Sequence, residues 1–202
     1  RFQSLLKSYI YTAFYDSRRP GPAYIRIIAL LRKAERPALF CHFQSPMSRP
    51  ASGDIHYLSV VAHHYEMCEN HGKEFGGYVI SCEVPSEFHH QTPCEVTLTL
   101  RSVYSTHKKS KSDITIPIYL MQNPEVRKLD FGICVPPLFG YIPTSTLIDF
   151  IEFSMLLGAQ HLIFYANQIP REVQKVLHYY EDLGHISVIN WNLPVDNQAI
   201  WY

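Results

Sequence analysis

The segment from Phe131 to Trp191 constrains the fold more than any other part of this chain. Phe131-Gly-Ile-Cys-Val-Pro-Pro-Leu-Phe is an apolar run ended by two prolines. Thr146 to Leu157 has apolar residues at helical spacing and stops at Gly158. Leu162-Ile-Phe-Tyr reads as a second strand, and Pro170 opens a second helical stretch that stops at Gly184. Ile186-Ser-Val-Ile-Asn-Trp191 reads as a third strand. Strands that alternate with helices over short connections predict a parallel sheet covered by helices.

The two helices have one-sided patterns. In the first, Leu147, Phe150, Ile151 and Leu157 form an apolar stripe interrupted by Ser154, and Thr146 with Asp149 resembles a capping box. In the second, Val173, Val176, Leu177 and Tyr180 recur at helical spacing, Leu183 extends the run, and Pro170 suits the first helical position.

Sheets of this kind bind ligands at the carboxyl ends of their strands. Those ends are Val135-Pro136-Pro137, Tyr165-Ala166-Asn167 and Trp191-Asn192. The loop after the first strand is apolar and stiffened by proline. It reads equally as one wall of a pocket for a flat ring or as a packed link from strand to helix. It lacks the Gly-x-Gly-x-x-Gly that would seat a dinucleotide on a helix N-terminus.

Residues 1 to 126 read differently. They lack amphipathic helices and carry short runs of β-branched and aromatic residues, such as Tyr9–Tyr15, Tyr24–Ile28, Ala38–Phe43, Gly77–Cys82, Cys94–Leu100 and Ile114–Tyr119. Turn-forming clusters separate them, among them Asp16-Ser-Arg-Arg-Pro-Gly-Pro22. This pattern predicts a β-rich, sandwich-like domain. Val96, Leu98 and Leu100 share one face, and Pro117 places its strand at an edge or a bulge. The boundary between the two parts falls within the polar stretch Gln122 to Asp130, giving domains of 1–126 and 127–202.

The formal net charge is zero, so no long-range attraction to nucleic acid is expected. Lys108-Lys-Ser-Lys111 reads as a solvated loop. The chain starts at Arg1, and no apolar run reaches the length of a membrane span. Of five cysteines, Cys134 lies in the first apolar strand and is expected as a buried free thiol. Cys41, Cys68, Cys82 and Cys94 cluster in the N-terminal part, which predicts at least one bridge and an oxidising compartment.

Three motif readings fail. Asp130-Phe131-Gly132 matches a kinase tripeptide, but no His-Arg-Asp loop or Gly-rich phosphate loop precedes it. His63, His64, Cys68 and His71 have the residue types for zinc but not the usual spacing, so they read as a helix or loop rich in surface histidine. Hydrolase, P-loop and zincin signatures are absent.

In order and spacing, several segments together resemble glycosyltransferase family 92. These are Gly132-Ile-Cys-Val-Pro-Pro-Leu-Phe-Gly140, Leu147-Ile-Asp-Phe-Ile-Glu152, Leu157-Gly-Ala-Gln-His-Leu-Ile-Phe-Tyr165, Val176-Leu-His-Tyr-Tyr180 with Gly184, and Val188-Ile-Asn-Trp-Asn-Leu-Pro194. Tyr11-Thr-Ala-Phe-Tyr-Asp16 and Ala38-Leu-Phe-Cys41 are similar to the family's N-terminal region, so the resemblance runs over nearly the whole chain.

The resemblance implies a GT-A type (Rossmann-like) domain whose amino-terminal half is residues 127–202. It implies inverting transfer of a hexose, galactose from UDP-galactose, onto a glycan or glycoprotein acceptor. It further implies a divalent metal, manganese, and a Golgi type II membrane protein with a lumenal domain and an anchor outside this chain. Val135, Pro136 and Pro137 would then lie near base and ribose, with Tyr165 and Asn167 near the nucleotide. The chain contains no Asp-x-Asp, and Glu181-Asp182, at a helix end, is expected in solvent. The metal ligands and the catalytic base are therefore expected beyond Tyr202, and this stretch alone is expected to be inactive.

Two other functions fit the residues. One is a non-catalytic extracellular or lumenal binding module with an α/β extension, which predicts no acidic metal motif downstream. The other is a cytosolic nucleotide-binding regulatory domain, which predicts free thiols at Cys41, Cys68, Cys82 and Cys94.

Overall fold

The computed structural model describes residues 2–5, 8–34, 37–47, 55–67, 72–88, 91–104, 110, 112–120 and 129–195. They fall into two compact units, one within residues 1–122 and one within 123–196. The division, like the boundary expected at residue 126, lies in 121–128, outside the described residues. So do Cys68, His71 and the lysines of the 108–111 stretch.

The β unit contains β1 (Gln3–Leu5), β2 (Ser8–Asp16), β3 (Tyr24–Arg32), β4 (Phe40–Gln44), β5 (Tyr57–Val61), β6 (His63–Glu66), β7 (Phe75–Glu83), β8 (Glu95–Thr99) and β9 (Ile114–Leu120). They form one sheet in the order β5-β4-β8-β9-β2-β3-β7-β6, with β1 paired to β2. The β-rich, sandwich-like domain expected is thus built from a single sheet that turns a corner. Ile114 to Pro117 pairs antiparallel with β8, whereas Ile118 to Leu120 pairs parallel with β2. Pro117 stands at the changeover, where a strand leaves one partner for the next and a missing N–H costs little.

Alternation explains the core. Ile25, Ile27, Ala29 and Leu31 of β3, Tyr78, Ile80 and Cys82 of β7, and Ile114, Ile116 and Ile118 of β9 are buried at every second position. Val96 and Leu98 join them, while Leu100 lies past the end of β8 and is exposed. The sheet curls until its ends meet. β5 and β6, at opposite ends of the order, are separated in sequence by Ala62 alone. The Ala62 N–H donates to Leu39 O at 2.9 Å. A disulfide joins Cys41 of β4 to Cys82 of β7, with Cα atoms 6.2 Å apart, so the expectation of a bridge among these cysteines is met. Cys94 is free and exposed. His63 and His64 lie in strand β6, not in the helix or loop expected for them.

The α/β unit runs β10 (Gly132–Cys134), α1 (Thr144–Leu156), β11 (His161–Ala166), α2 (Arg171–Asp182) and β12 (Ile186–Asn190). Its sheet has the order β10-β11-β12 and both pairings are parallel, as the alternating pattern predicts. Both helices lie on one face: Leu147 and Ile151 of α1 and Val173, Leu177 and Tyr180 of α2 share a core with Leu162, Phe164 and Ile186. Glycines end the helices as expected, with Gly158 at φ 98° and Gly184 at φ 77°, left-handed positions where a side chain would be strained.

Three details differ from the sequence reading. Pro143 and Pro170 occupy the N-cap positions and no side chain caps either helix, so Thr146 and Asp149 form no capping box. Phe150 and Leu157 of the expected α1 stripe are exposed, while Ser154, which interrupts it, is buried with Leu147 and Ile151. Cys134 is free but exposed, not buried. The reason is strand alternation: Ile133 and Val135 point to the helices, and Cys134 points to the opposite face, which no described helix covers.

Candidate functional site

The carboxyl ends of the three parallel strands converge. After β10 the chain continues extended alongside β11. The Val135 N–H donates to Ile163 O at 2.9 Å, the Leu138 N–H to Tyr165 O at 2.8 Å, and the Asn167 N–H to Leu138 O at 2.9 Å. Leu138 and Ala166 form a parallel bridge. On the other side, the Trp191 N–H donates to Ala166 O at 2.8 Å. These bonds hold the proline loop, the end of β11 and the residue after β12 as one backbone frame. Prolines suit the loop because two of its positions then offer no N–H in need of a partner.

Side chains split between two faces. Val135 packs toward the helices and Pro137 is half-buried, while Pro136 is exposed. Tyr165 lies on the face away from the helices, with its ring centroid 5.2 Å from that of Trp191 and the planes at 76°. The Cys134 thiol points at the Tyr165 hydroxyl, Sγ to Oη 3.7 Å. Asn167 is half-buried at the strand end. Gln168 follows with φ 53°, a left-handed conformation for a side-chain-bearing residue. It turns the chain from β11 into α2.

The structure therefore brings Pro137, Tyr165 and Asn167 to one end of the sheet and turns the Val135 side chain into the core. Two neighbours escape the sequence reading. Leu138 supplies two of the three backbone bonds that tie the loop to β11 and the residue after it. On the helix side, a hollow of about 350 Å3 is lined by Ala166, Gln168, Leu177, His178, Glu181 and Asn190. No local motif marks it, because its residues come from β11, β12 and α2 and meet only through the parallel register. Glu181 is exposed as expected, but its Oε1 accepts the Val188 N–H at 3.0 Å and so braces the end of α2 against β12.

The electrostatics are mild. Burial, then the hydrogen bond to Glu152, pushes the Tyr180 hydroxyl up to about 12; its Oη donates to Glu152 Oε1 at 2.5 Å. Tyr180 and Glu152 tie α2 to α1 and lie away from the strand ends. Among the described residues no three His, Cys, Asp or Glu side chains come close enough to hold a metal ion. The site thus offers an aromatic pair, a carboxamide and fixed backbone groups. That set can hold a flat ring and orient polar atoms.

Residues 129–199 match the family model of glycosyltransferase family 92. Over 206 residues the chain is 24% identical to the Beta-1,4-galactosyltransferase galt-1 of Caenorhabditis elegans, an alignment that covers 96% of this chain and 44% of the relative. The chain thus spans less than half the length of that curated relative. Among the described residues no helix is long and apolar enough to cross a membrane. The match to the family model falls on the α/β unit, with its parallel strands and stapled proline loop, and so on the same segments whose sequence resembles that family.

Proposed function

We propose that this chain is part of a glycosyltransferase that moves galactose, with inversion, from UDP-galactose to a glycan or glycoprotein, and that the α/β unit is the amino-terminal half of a GT-A type domain. The parallel β10-β11-β12 sheet with the loop after β10 tied to the end of β11 is the observation that carries this reading. Such sheets receive nucleotides at the carboxyl ends of their strands. In this reading Tyr165 offers a ring to the base, Asn167 hydrogen-bonds the ribose or diphosphate, and Pro136 and Pro137 shape the rim.

The divalent metal, manganese in this reading, finds no donor set among the described residues. In this reading its ligands and the base that takes the acceptor's proton lie outside the described residues. The site of action in this reading is the Golgi lumen, with a membrane anchor elsewhere in the protein; the Cys41–Cys82 bridge supports an oxidising compartment.

The test uses a longer form of the protein that shares more of its length with the relative. It is expected to transfer labelled galactose from UDP-galactose to a glycan in the presence of manganese. Tyr165→Ala and Asn167→Ala should raise the donor KM about tenfold, which corresponds to about 1.4 kcal/mol. The 202-residue chain alone should bind UDP with manganese no tighter than millimolar, about 4 kcal/mol. Transfer with an unchanged donor KM in both variants would refute the site. Absence of transfer with every UDP-hexose would refute the function.

A further inference from the structure

The β unit carries a second concave surface that the nucleotide-sugar reading does not use. A groove of about 480 Å3 opens on the outer face of β2, β3, β7 and β6, under the Arg18–Pro22 turn. The antiparallel register builds it. Arg26 of β3 stands opposite Ser81 of β7, and Ser81 stands opposite His63 of β6. One step along, Tyr24 stands opposite Asp16 of β2. Ile25 and Ile27 point into the core, so Tyr24 and Arg26 point out.

Arg26 is the centre of the groove and it is held in place. Its Nε donates to Asp16 Oδ2 at 3.2 Å and its Nη1 to Ser81 Oγ at 2.7 Å. Its guanidinium carbon lies 4.5 Å from the centre of the Tyr24 ring. With these bonds made, the Arg26 guanidinium lines the groove. Asp16 is in turn satisfied by Arg18, whose Nε donates to Oδ1 at 2.8 Å and Nη2 to Oδ2 at 3.1 Å. Asp16 is the single acid among the side chains that line the groove, and two arginines and two histidines line it as well. An already paired carboxylate, a pinned arginine, Arg19 at the rim and His63 make a surface that prefers an anion.

The groove is also aromatic. Tyr24 forms its floor, and Tyr65 of β6 projects at its edge with 67% of its surface exposed. Two tyrosines beside a fixed guanidinium match a ligand with one apolar ring face and one negative group. A bare phosphate or sulfate would use the arginines and leave the tyrosines without a role.

We infer that this groove is a binding site for an acidic saccharide, a sugar ring bearing a carboxylate or a sulfate. The acidic group sits on Arg26 and Arg19, and the C–H faces of the saccharide's rings pack on the tyrosines along the groove, Tyr24 and Tyr65. The site lies wholly within the β unit and stands whether or not the α/β unit handles a nucleotide sugar.

Titration of the 202-residue chain by calorimetry and NMR tests it, with four probes: a sulfated heparin-derived tetrasaccharide, sialyllactose, neutral lactose and inorganic sulfate. At least one of the first two is expected to bind, and which one tells sulfate recognition from carboxylate recognition. Lactose and sulfate should bind at least tenfold more weakly. Arg19→Ala and Tyr65→Ala, both exposed and so safe for folding, should each weaken the acidic sugar about three- to tenfold. Arg26→Gln should weaken it further, and circular dichroism separates that loss from unfolding. The inference is overturned by binding that these variants leave intact, by inorganic sulfate binding as well as the sugar, or by no acidic sugar binding at all.

Discussion

The two units solve the problem of a sheet's exposed face and edges in opposite ways. The β unit rolls its sheet around its own core, so that buried apolar side chains such as Ile27, Phe43, Tyr78 and Leu98 lie inside one curled surface and a disulfide joins strands near its two ends. The α/β unit leaves its sheet open and covers one face with two helices, while Cys134 and Tyr165 sit on the other. A curled sheet protects its interior by topology. An open one depends on what is laid over it, and the face left over is available for chemistry. Burial divides the described thiols: Cys41 and Cys82 in the β unit's core are bonded to each other, while Cys94 at its surface and Cys134 of the open sheet are free.

Four measurements press on this contrast, each read by hydrogen exchange resolved to peptides of one unit or the other. The largest effect should come from Cys41→Ala with Cys82→Ala. The bridge spans 41 residues of sequence, and losing a loop of that length costs about 4 kcal/mol in the chain-entropy model. Protection should collapse in β3, β4 and β7. An equal loss in β11 would show that the two units unfold as one and would dissolve the comparison.

Leu177→Ala comes next. Leu177 is 1% exposed beneath α2, and emptying such a site costs about 3 kcal/mol. Exchange should speed up in α2, β11 and β12. An unchanged α/β unit would mean that its core is much looser than its packing indicates.

Acid should then tell the units apart. His42 is buried, with Nδ1 2.7 Å from Ser59 Oγ and Nε2 2.8 Å from Thr99 Oγ1. Thr99 Oγ1 donates its own hydrogen to Arg101 O, so it accepts from Nε2–H, and Ser59 donates to Nδ1. Burial, the largest cause, holds the His42 pKa below its ordinary 6.5. A folded state that favours the neutral ring is stabilised above pH 6.5 and loses that contribution as pH falls through the lowered value. Asp16, held far below the usual carboxylate range chiefly by its hydrogen bond to Arg18, adds a loss at still lower pH. Titration from pH 7 to 4 should weaken the β unit first, and His42→Asn should flatten that slope.

The smallest effect is expected from Tyr180→Phe, about 1 kcal/mol for a bond to a partly exposed carboxylate. Because the folded hydroxyl is raised to about 12, the contribution of Tyr180 is present below pH 10 and lost between pH 10 and 12. The variant should remove that alkaline slope from the α/β unit.

Much of the α/β unit is legible in the sequence because its signals are local. Pro170, Gly158 and Gly184 mark where helices start and stop, and Leu162 to Tyr165 is apolar enough to name a buried strand. The errors there are errors of facing: Cys134 points away from the helices, and Phe150 and Leu157 of the expected stripe are exposed. In the β unit, β5 and β6 escape the sequence reading. They end the sheet's order and are partly exposed on both faces, so Tyr57–Val61 and His63–Glu66 show no clean alternation of buried and exposed positions. The groove around Arg26 is invisible for another reason. Asp16, Arg26, His63 and Ser81 span 65 residues and become neighbours only when four strands adopt their register. At the strand ends, Tyr165 and Asn167 follow from the rule for parallel sheets, whereas the bracing role of Glu181 needs the approach of α2 to β12.

Ala62 fixes a length. A single residue carries the chain from one end of the nine-stranded sheet to the other, and its N–H is already bonded to Leu39. Substitution there by a small residue is a matter of packing, but insertion is a matter of parity. One added residue would turn His63 and Tyr65 from the outer face to the inner one, or else slide β6 by a step along β7. Either way the outer row that ends in His63 would be broken. This seam should therefore tolerate drift in residue type and reject any change in residue number, a pattern that related chains can be inspected for.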